Sequence, residues 1–448
     1  MGNSNNVSID NIYRLDGRVP VAKAIPFGLQ HVFAMFVSNV TPIILIAATA
    51  GIEGTEKALL IQAAMLAAGI GTVVQLYPIW KVGSRLPVVM GVSFTFLASL
   101  QFVAGTYGYN AMIGAVIVGG CFEGLLGLTY KYWKKLVPPI ASACVVTTIG
   151  FSLFTVGVQS FGGGYVEDFG APKYMITAGI TLVTCLLVQI FAKGFWRQLN
   201  VLFGMLVGYV VAIAMGIVNF SSISATISEA GFVSLPRVLP YMPEFNINAI
   251  VAVGIVFLVS ATETIGDTTA LVNGALKRDI TEKEVSGSLA CDGFMSAVSG
   301  CLGCAPITSF SQNVGLIAMT KVCNRFTILM GALTMILAGL FPPIGAFFCT
   351  IPDPVLGGCT IMMFGNILVA GMEMIARCGF SQRNTIIAAL SIVVGVGSTL
   401  VSGFYSAFPS IVGDVFASNC VAGTFVIAII LNLVLPKNME EEDHGSAE

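Results

Sequence analysis

Charge is what this chain has least of: 10% of its 448 residues are Asp, Glu, Lys or Arg, while 56% are hydrophobic. With a mean hydropathy of +0.89, that scarcity excludes an ordinary soluble globular domain, in which about a quarter of residues are charged. Histidine is scarcer still, and His31 is the only one outside the C-terminal tail. There is no His-Glu-x-x-His, no Gly-x-Gly-Asp and no plausible Ser/His dyad, so nothing supports an intramembrane enzyme and no catalytic residue is expected. The eleven cysteines are an odd number, mostly within apolar stretches. Cys301 and Cys304 form the one close pair and lack a second pair of soft ligands, so neither disulfides nor a metal site is expected. The net charge of −2 points to no partner, and no nucleic-acid partner is expected. The first 25 residues are polar, without an apolar core and a small-residue cleavage site, so the first apolar span is expected to direct insertion itself.

What the chain has instead is long apolar runs. Stretches of about 20 apolar residues, the length that crosses a bilayer, lie near 26–50, 58–79, 109–129, 136–159, 172–192, 198–218, 248–271, 284–303, 325–347, 354–375, 383–405 and 413–436. Two shorter, interrupted stretches lie between them, near 86–101 and 304–322, and counting both as crossings gives fourteen. The expected fold is an all-α polytopic membrane protein. Basic residues test the count independently, because short cytoplasmic loops collect Lys and Arg. Fourteen crossings put both termini on one side with 18 of the 21 basic residues, Lys134, Lys135 and Lys437 among them; only Lys57, Lys173 and Arg237 fall on the other. If either interrupted stretch failed to cross, the bias would vanish for every later loop. The expectation is a multi-pass protein of the plasma (inner) membrane, with both termini cytoplasmic and the acidic tail Glu440 to Asp443 solvated.

The interrupted stretches are where a carrier usually keeps its site. One runs from Leu86-Pro87 through Gly91 to Ser93-Phe94-Thr95; the other runs from Gly303 through Pro306 and Ser309-Phe310-Ser311 to Gln312-Asn313. Each carries a hydroxyl-Phe-hydroxyl triplet beside Pro and Gly, and each is third in its half of the chain. Interrupted segments in matching places point to two inverted repeats of seven segments with a site near the midplane. Their breaks free backbone groups and half-helix N-termini for a ligand. Phe94 and Phe310 could flank a flat heterocycle, worth about 0.5–1.5 kcal/mol per aromatic pair, or serve simply as core. Gln312 and Asn313 offer donors and acceptors that suit a planar, amide-like ligand, and unpaired polar groups in lipid cost several kcal/mol.

Five acidic candidates lie within expected spans: Glu123, Glu263, Asp267, Asp292 and Asp414. Intramembrane ionisable groups are functional hypotheses by default. Glu263 and Asp267 are four apart and share one helix face. Two carboxylates that close in low dielectric do not both ionise comfortably, which is what a proton-coupled carrier needs. Asp292 could join or replace Asp267 in that role, and Asp267 could equally be a polar anchor near a helix end. Glu123 and Asp414 are read as meeting water or hydroxyls. His31, beside Gln30 in the first span, is read as a structural group rather than as a direct proton carrier.

With Gln312, Asn313, Gly315, Thr320 and Lys321 at these offsets, Gln30-His31 in the first span, Glu263 with Gly266-Asp267 in the eighth and Asp292 in the ninth, the chain resembles the nucleobase-ascorbate transporter family over essentially its whole length. The resemblance implies fourteen segments in two inverted seven-segment repeats, with segments 3 and 10 part strand and part helix. It implies a core domain, 26–135 and 248–350, a gate domain, 136–247 and 351–436, and cytoplasmic tails at 1–25 and 437–448. Glu263 and Gln312 would hydrogen-bond the base, Phe94 would stack on it, and backbone amides near Phe310 and Ser311 would complete the contacts. Asn313 would hold the site's shape, with Asp292, Asp267, His31 and Gln30 in support. Members usually work as lipid-embedded homodimers by an elevator-like movement.

Uracil-type members tend to have Glu at the first signature position and His in the eighth span, whereas this chain has Gln312 and Asp267. The expectation is therefore a proton-coupled importer of xanthine and/or uric acid, without any cofactor beyond the coupling ion. A uracil symporter of the same family is the alternative, and sodium stays open as the coupling ion. An anion carrier on the same fold ranks below both, because Glu263 would repel an anion and function does not follow from fold.

Overall fold

Two prolines, Pro87 and Pro306, decide the architecture, because neither can donate a helical hydrogen bond and each interrupts a run that would otherwise be helical. The structure, a computed structural model, describes residues 7–133, 138–417 and 419–436. Expectations placed on residues 1–6, Lys134, Lys135 and the 437–448 tail lie outside them. After each proline the chain forms a three-residue strand, β1 (Met90–Val92) and β2 (Ile307–Ser309), and the two pair antiparallel with Gly91 opposite Thr308.

Around this pair the first compact unit, 1–131 with 157–362, is built largely from helices α1 (Val21–Thr49), α2 (Gly54–Leu76), α3 (Leu97–Tyr107), α4 (Tyr109–Leu128), α5 (Ile247–Leu271), α6 (Glu282–Cys301), α7 (Ser311–Thr320) and α8 (Arg325–Ala338). Val32, Met35, Ala68, Leu76, Val89, Phe310, Ile328 and Met335 form one buried cluster that packs Val89, just before β1, and Phe310, just before α7, against α1, α2 and α8. α4 and α6 approach closely through small residues. A Cβ on Gly120 would lie 2.6 Å from the Ala297 nitrogen, and one on Gly127 would lie 2.3 Å from that of Ala290. Small-residue contacts of this kind drive helix association where lipid offers no hydrophobic gradient. Other helices of this unit include Pro172–Phe191 and Asn200–Ala214, which pack through Gly204 and Gly208 against Cys185 and Thr181.

The second unit, 132–156 with 363–448, centres on Pro139–Ser152, Gln382–Leu400 and Cys420–Val434. Ile140, Ala141, Cys144, Ile387 and Ala428 form its core, and the Thr148 hydroxyl lies 3.1 Å from that of Thr424.

Among the described residues, eight helices are long and apolar enough to cross a bilayer. A ninth span is gained if Arg325–Ala338 and Pro342–Cys349, bent by 81°, count as one. Length alone misses the interrupted segments, whose helical parts, α3 and α7, have only 11 and 10 residues.

Candidate functional site

A strand pair inside a membrane protein has an accounting problem, because its outward N–H groups have no water to bond. Neighbouring side chains supply the acceptors. Asn39 of α1 accepts the Val92 N–H at 2.7 Å and Thr72 of α2 accepts that of Met90 at 2.9 Å. On the other edge, Ser296 and Asp292 of α6 accept the N–H groups of Ile307 and Ser309 at 3.1 and 3.0 Å. The pair is thus pinned on both edges, which fixes where the triplets that follow each strand sit.

Both triplets reach α5. The Thr95 hydroxyl donates to Glu263 at 2.6 Å, and the Ser311 hydroxyl donates to Asp267 at 2.9 Å. Each contact comes from the third residue of a hydroxyl-Phe-hydroxyl triplet, and the two carboxylates are one helical turn apart. Ser309 also donates to Asp267, at 3.0 Å. One α5 face therefore holds both interrupted segments.

Asp292 lies behind this face, completely buried. Its Oδ2 accepts the Thr264 hydroxyl at 2.5 Å as well as the Ser309 N–H, and its Oδ1 accepts the Gln75 carboxamide at 3.1 Å. Among the described residues, every hydrogen bond to the three carboxylates comes from a hydroxyl, a carboxamide or a backbone N–H, and none comes from Lys, Arg or His. Asp292 is joined to Asp267 through Ser309.

His31 is buried, and its carbonyl accepts the Asn313 carboxamide at 3.2 Å; the same Nδ2 lies 3.4 Å from its ring Nδ1. This ties α1 to the first turn of α7. Gln30 is half-buried and makes no hydrogen bond among the described residues. Gln312 is exposed on that first turn, and its carboxamide also makes no hydrogen bond among the described residues. Phe94 and Phe310 are both buried. The Phe310 N–H is committed to the Val89 carbonyl at 2.9 Å, so one of the two amides the family resemblance offers to a ligand is taken in this arrangement. Lys321 takes a left-handed conformation, φ 60°, at the end of α7, and its ammonium caps the Gly274 carbonyl at 2.7 Å just beyond α5. A surface cavity elsewhere in the unit, lined by Glu56, Arg237 and Tyr241, shares no residue with this cluster.

Sequence reading missed Thr95, Thr264, Ser309, Gln75, Asn39 and Thr72. The signal for Thr95 and Ser309 was present in the matched triplets. The other four are ordinary polar residues on regular helices, and only the packed structure reveals their acceptors and donors.

A helical, multi-pass membrane protein with paired strand-helix interruptions braced by unpaired-charge carboxylates is built as a transporter, and the relatives named as permeases place it among transporters rather than enzymes. A family profile described as "Permease family" matches residues 22–403. The chain belongs to that family, the nucleobase-ascorbate transporters. It is 32% identical to the xanthine permease XanP of Escherichia coli over 448 residues, covering 95% of this chain and 94% of that one. It is 29% identical to the xanthine permease XanQ of the same organism, covering 99% and 97%, and 30% identical to a Bacillus subtilis xanthine permease, covering 92% and 93%. Among solved structures, the transmembrane domain of the cyanobacterial bicarbonate transporter BicA shares the fold with a TM-score of 0.59 at 13% identity, over 96% of this chain and 99% of that one. The murine anion transporter Slc26a9, inward-facing, gives 0.62 at 10% identity over 92% and 68%.

Proposed function

We propose that this permease imports oxidised purine bases, xanthine and/or uric acid, by proton symport. The observation that carries the reading is the α5 face, where Glu263 and Asp267 brace the two interrupted segments while the carboxamide of Gln312, the residue after Ser311, has no hydrogen-bond partner among the described residues. Gln312 can donate to a purine carbonyl or N7 and accept from an N–H. Glu263 would accept a second substrate N–H, Phe94 would stack on the ring, and residues around Phe310 and Ser311 would close the site. Asp292, Asp267, His31, Asn313 and Gln30 would support the site and its protons. The xanthine permeases among the relatives favour a purine over uracil.

The chain crosses the membrane fourteen times in two inverted repeats. Besides the eight long helices, the remaining expected positions hold α3, α6, α7, the bent pair and two shorter apolar helices, Asn200–Ala214 and Cys420–Val434. The paired strands at matching places in the two halves support the inversion. Core (26–135 and 248–350) and gate (136–247 and 351–436) then move past one another in an elevator-like cycle within a homodimer, in the plasma membrane with cytoplasmic termini. Anion transport, which BicA and Slc26a9 exemplify on this fold, is disfavoured by carboxylates that no cation offsets among the described residues.

The test is uptake of radiolabelled xanthine by cells expressing the chain, with unlabelled uric acid, uracil and hypoxanthine as competitors, with and without an uncoupler. Uncoupler-sensitive uptake blocked by xanthine or urate but not by uracil is expected. Blockade by uracil alone would overturn the substrate assignment, and accumulation driven by sodium through the uncoupler would replace the coupling ion.

A further inference from the structure

Glu123 on α4 is completely buried, and neither of its carboxyl oxygens makes a hydrogen bond among the described residues. The close α4–α6 contact sets its position: a Cβ on Gly293, the residue after Asp292, would lie 2.6 Å from the Glu123 carbonyl carbon. From α5 the completely buried Ser260 hydroxyl faces it short of hydrogen-bond geometry, and it has no other partner among the described residues. Glu263 and Thr264 lie three and four residues beyond Ser260, on the same helix face. The ionisable groups that act on Glu123 are Asp292 of α6 and Glu263 of α5, and no Lys, Arg or His is among them. α3, also packed on α4, carries no charged residue; its Tyr107 lies beside the opposite end of α4, roughly 20 Å along the helix.

A charged carboxylate there, with one hydroxyl in reach and no cation, costs several kcal/mol. The neutral acid fits, and the ionisable groups that interact with it are two other carboxyl groups. We propose that Glu123 is a proton-carrying residue of the transport cycle, exchanging its proton with the Asp292 and Glu263 pair as the site loads and empties. In that exchange the O–H bond breaks at Glu123 and forms on the receiving carboxylate, the negative charge moves the opposite way, and Ser260 turns to donate to the ionised Glu123. The inference rests on the proton-coupled reading above.

The test uses the full chain in proteoliposomes. Xanthine exchange without a gradient reports binding and movement, and xanthine accumulation under a pH gradient reports coupling. Glu123→Gln keeps the shape and neutrality of the acid but releases no proton. It is expected to preserve exchange and to lower the accumulation ratio about tenfold per pH unit for each proton lost from the cycle, with Glu123→Asp restoring part of the loss. Accumulation equal to the parent, or loss of exchange together with accumulation, overturns the proposal. If Glu123→Gln does not reach the bilayer, Ser260→Ala decides: a shifted pH profile of uptake is expected, and an unchanged one overturns it. If the unmodified protein accumulates xanthine regardless of the pH gradient, the coupling reading itself fails and takes this inference with it; if it is proton-driven while Glu123→Gln matches it, only the role of Glu123 fails.

Discussion

Replacing Asp292 by Ala removes a group on which α2, α5 and β2 converge. The three losses are unequal. Gln75 Nε2 keeps the Ser288 carbonyl and hydroxyl at 3.2 and 3.1 Å, so it stays satisfied. The Thr264 hydroxyl loses its 2.5 Å acceptor, although the Ser309 hydroxyl remains within 3.4 Å. The Ser309 N–H faces away from β1 and is left without its acceptor in a water-free interior. Side-chain hydrogen bonds between membrane helices are worth about 0.6 kcal/mol on average and up to about 1.7, and an orphaned buried donor costs about 1–3 kcal/mol. Together these give a destabilisation of about 3 kcal/mol. Asp292→Asn keeps one acceptor oxygen for β2 while turning an amide toward the Gln75 donor, and should cost about half as much. Thermal unfolding of purified protein in detergent, all variants at one scan rate because such transitions are seldom reversible, should place Ala below Asn and Asn below the parent. An Ala variant that unfolds with the parent, or an Asn variant as unstable as Ala, would show that Asp292 does not hold the strand pair.

Glu263→Gln should abolish uptake while leaving protein in the membrane, since a carboxamide oxygen can still accept from Thr95; near-parental transport, measured against surface-labelled protein, removes Glu263 from the site. Gln312→Glu should weaken purine inhibition of uptake and admit uracil, and unchanged competition curves would undo the selectivity argument. Gly91→Ala places a Cβ 2.7 Å from Met35 Cε and 2.8 Å from the Phe310 ring, overpacking of about 1–3 kcal/mol. Its effect should appear as weaker xanthine binding in a titration of purified protein, and parental affinity would mean that Phe310 moves without touching the site.

The sequence by itself determined the class and where the two interrupted segments lie. Hydropathy counts apolar length, and the breaks are chemically marked by Pro87 and Pro306 and by the triplets Ser93-Phe94-Thr95 and Ser309-Phe310-Ser311, so the two interrupted segments were legible without coordinates. The i, i+4 spacing of Glu263 and Asp267 likewise placed both carboxylates on one face. What the spacing does not encode is which triplet meets which carboxylate, because that depends on an antiparallel pairing between segments more than 200 residues apart. Asn39, Thr72, Gln75 and Ser296 were invisible for the same reason: a polar residue on a helix gains meaning only from the N–H or carboxylate that packing brings to it. Glu123 is the sharpest case. In sequence it is an acid that water or hydroxyls could satisfy, and only the close approach of Gly124 to Gly293 encloses it beside Asp292, where neither of its oxygens finds a hydrogen bond among the described residues.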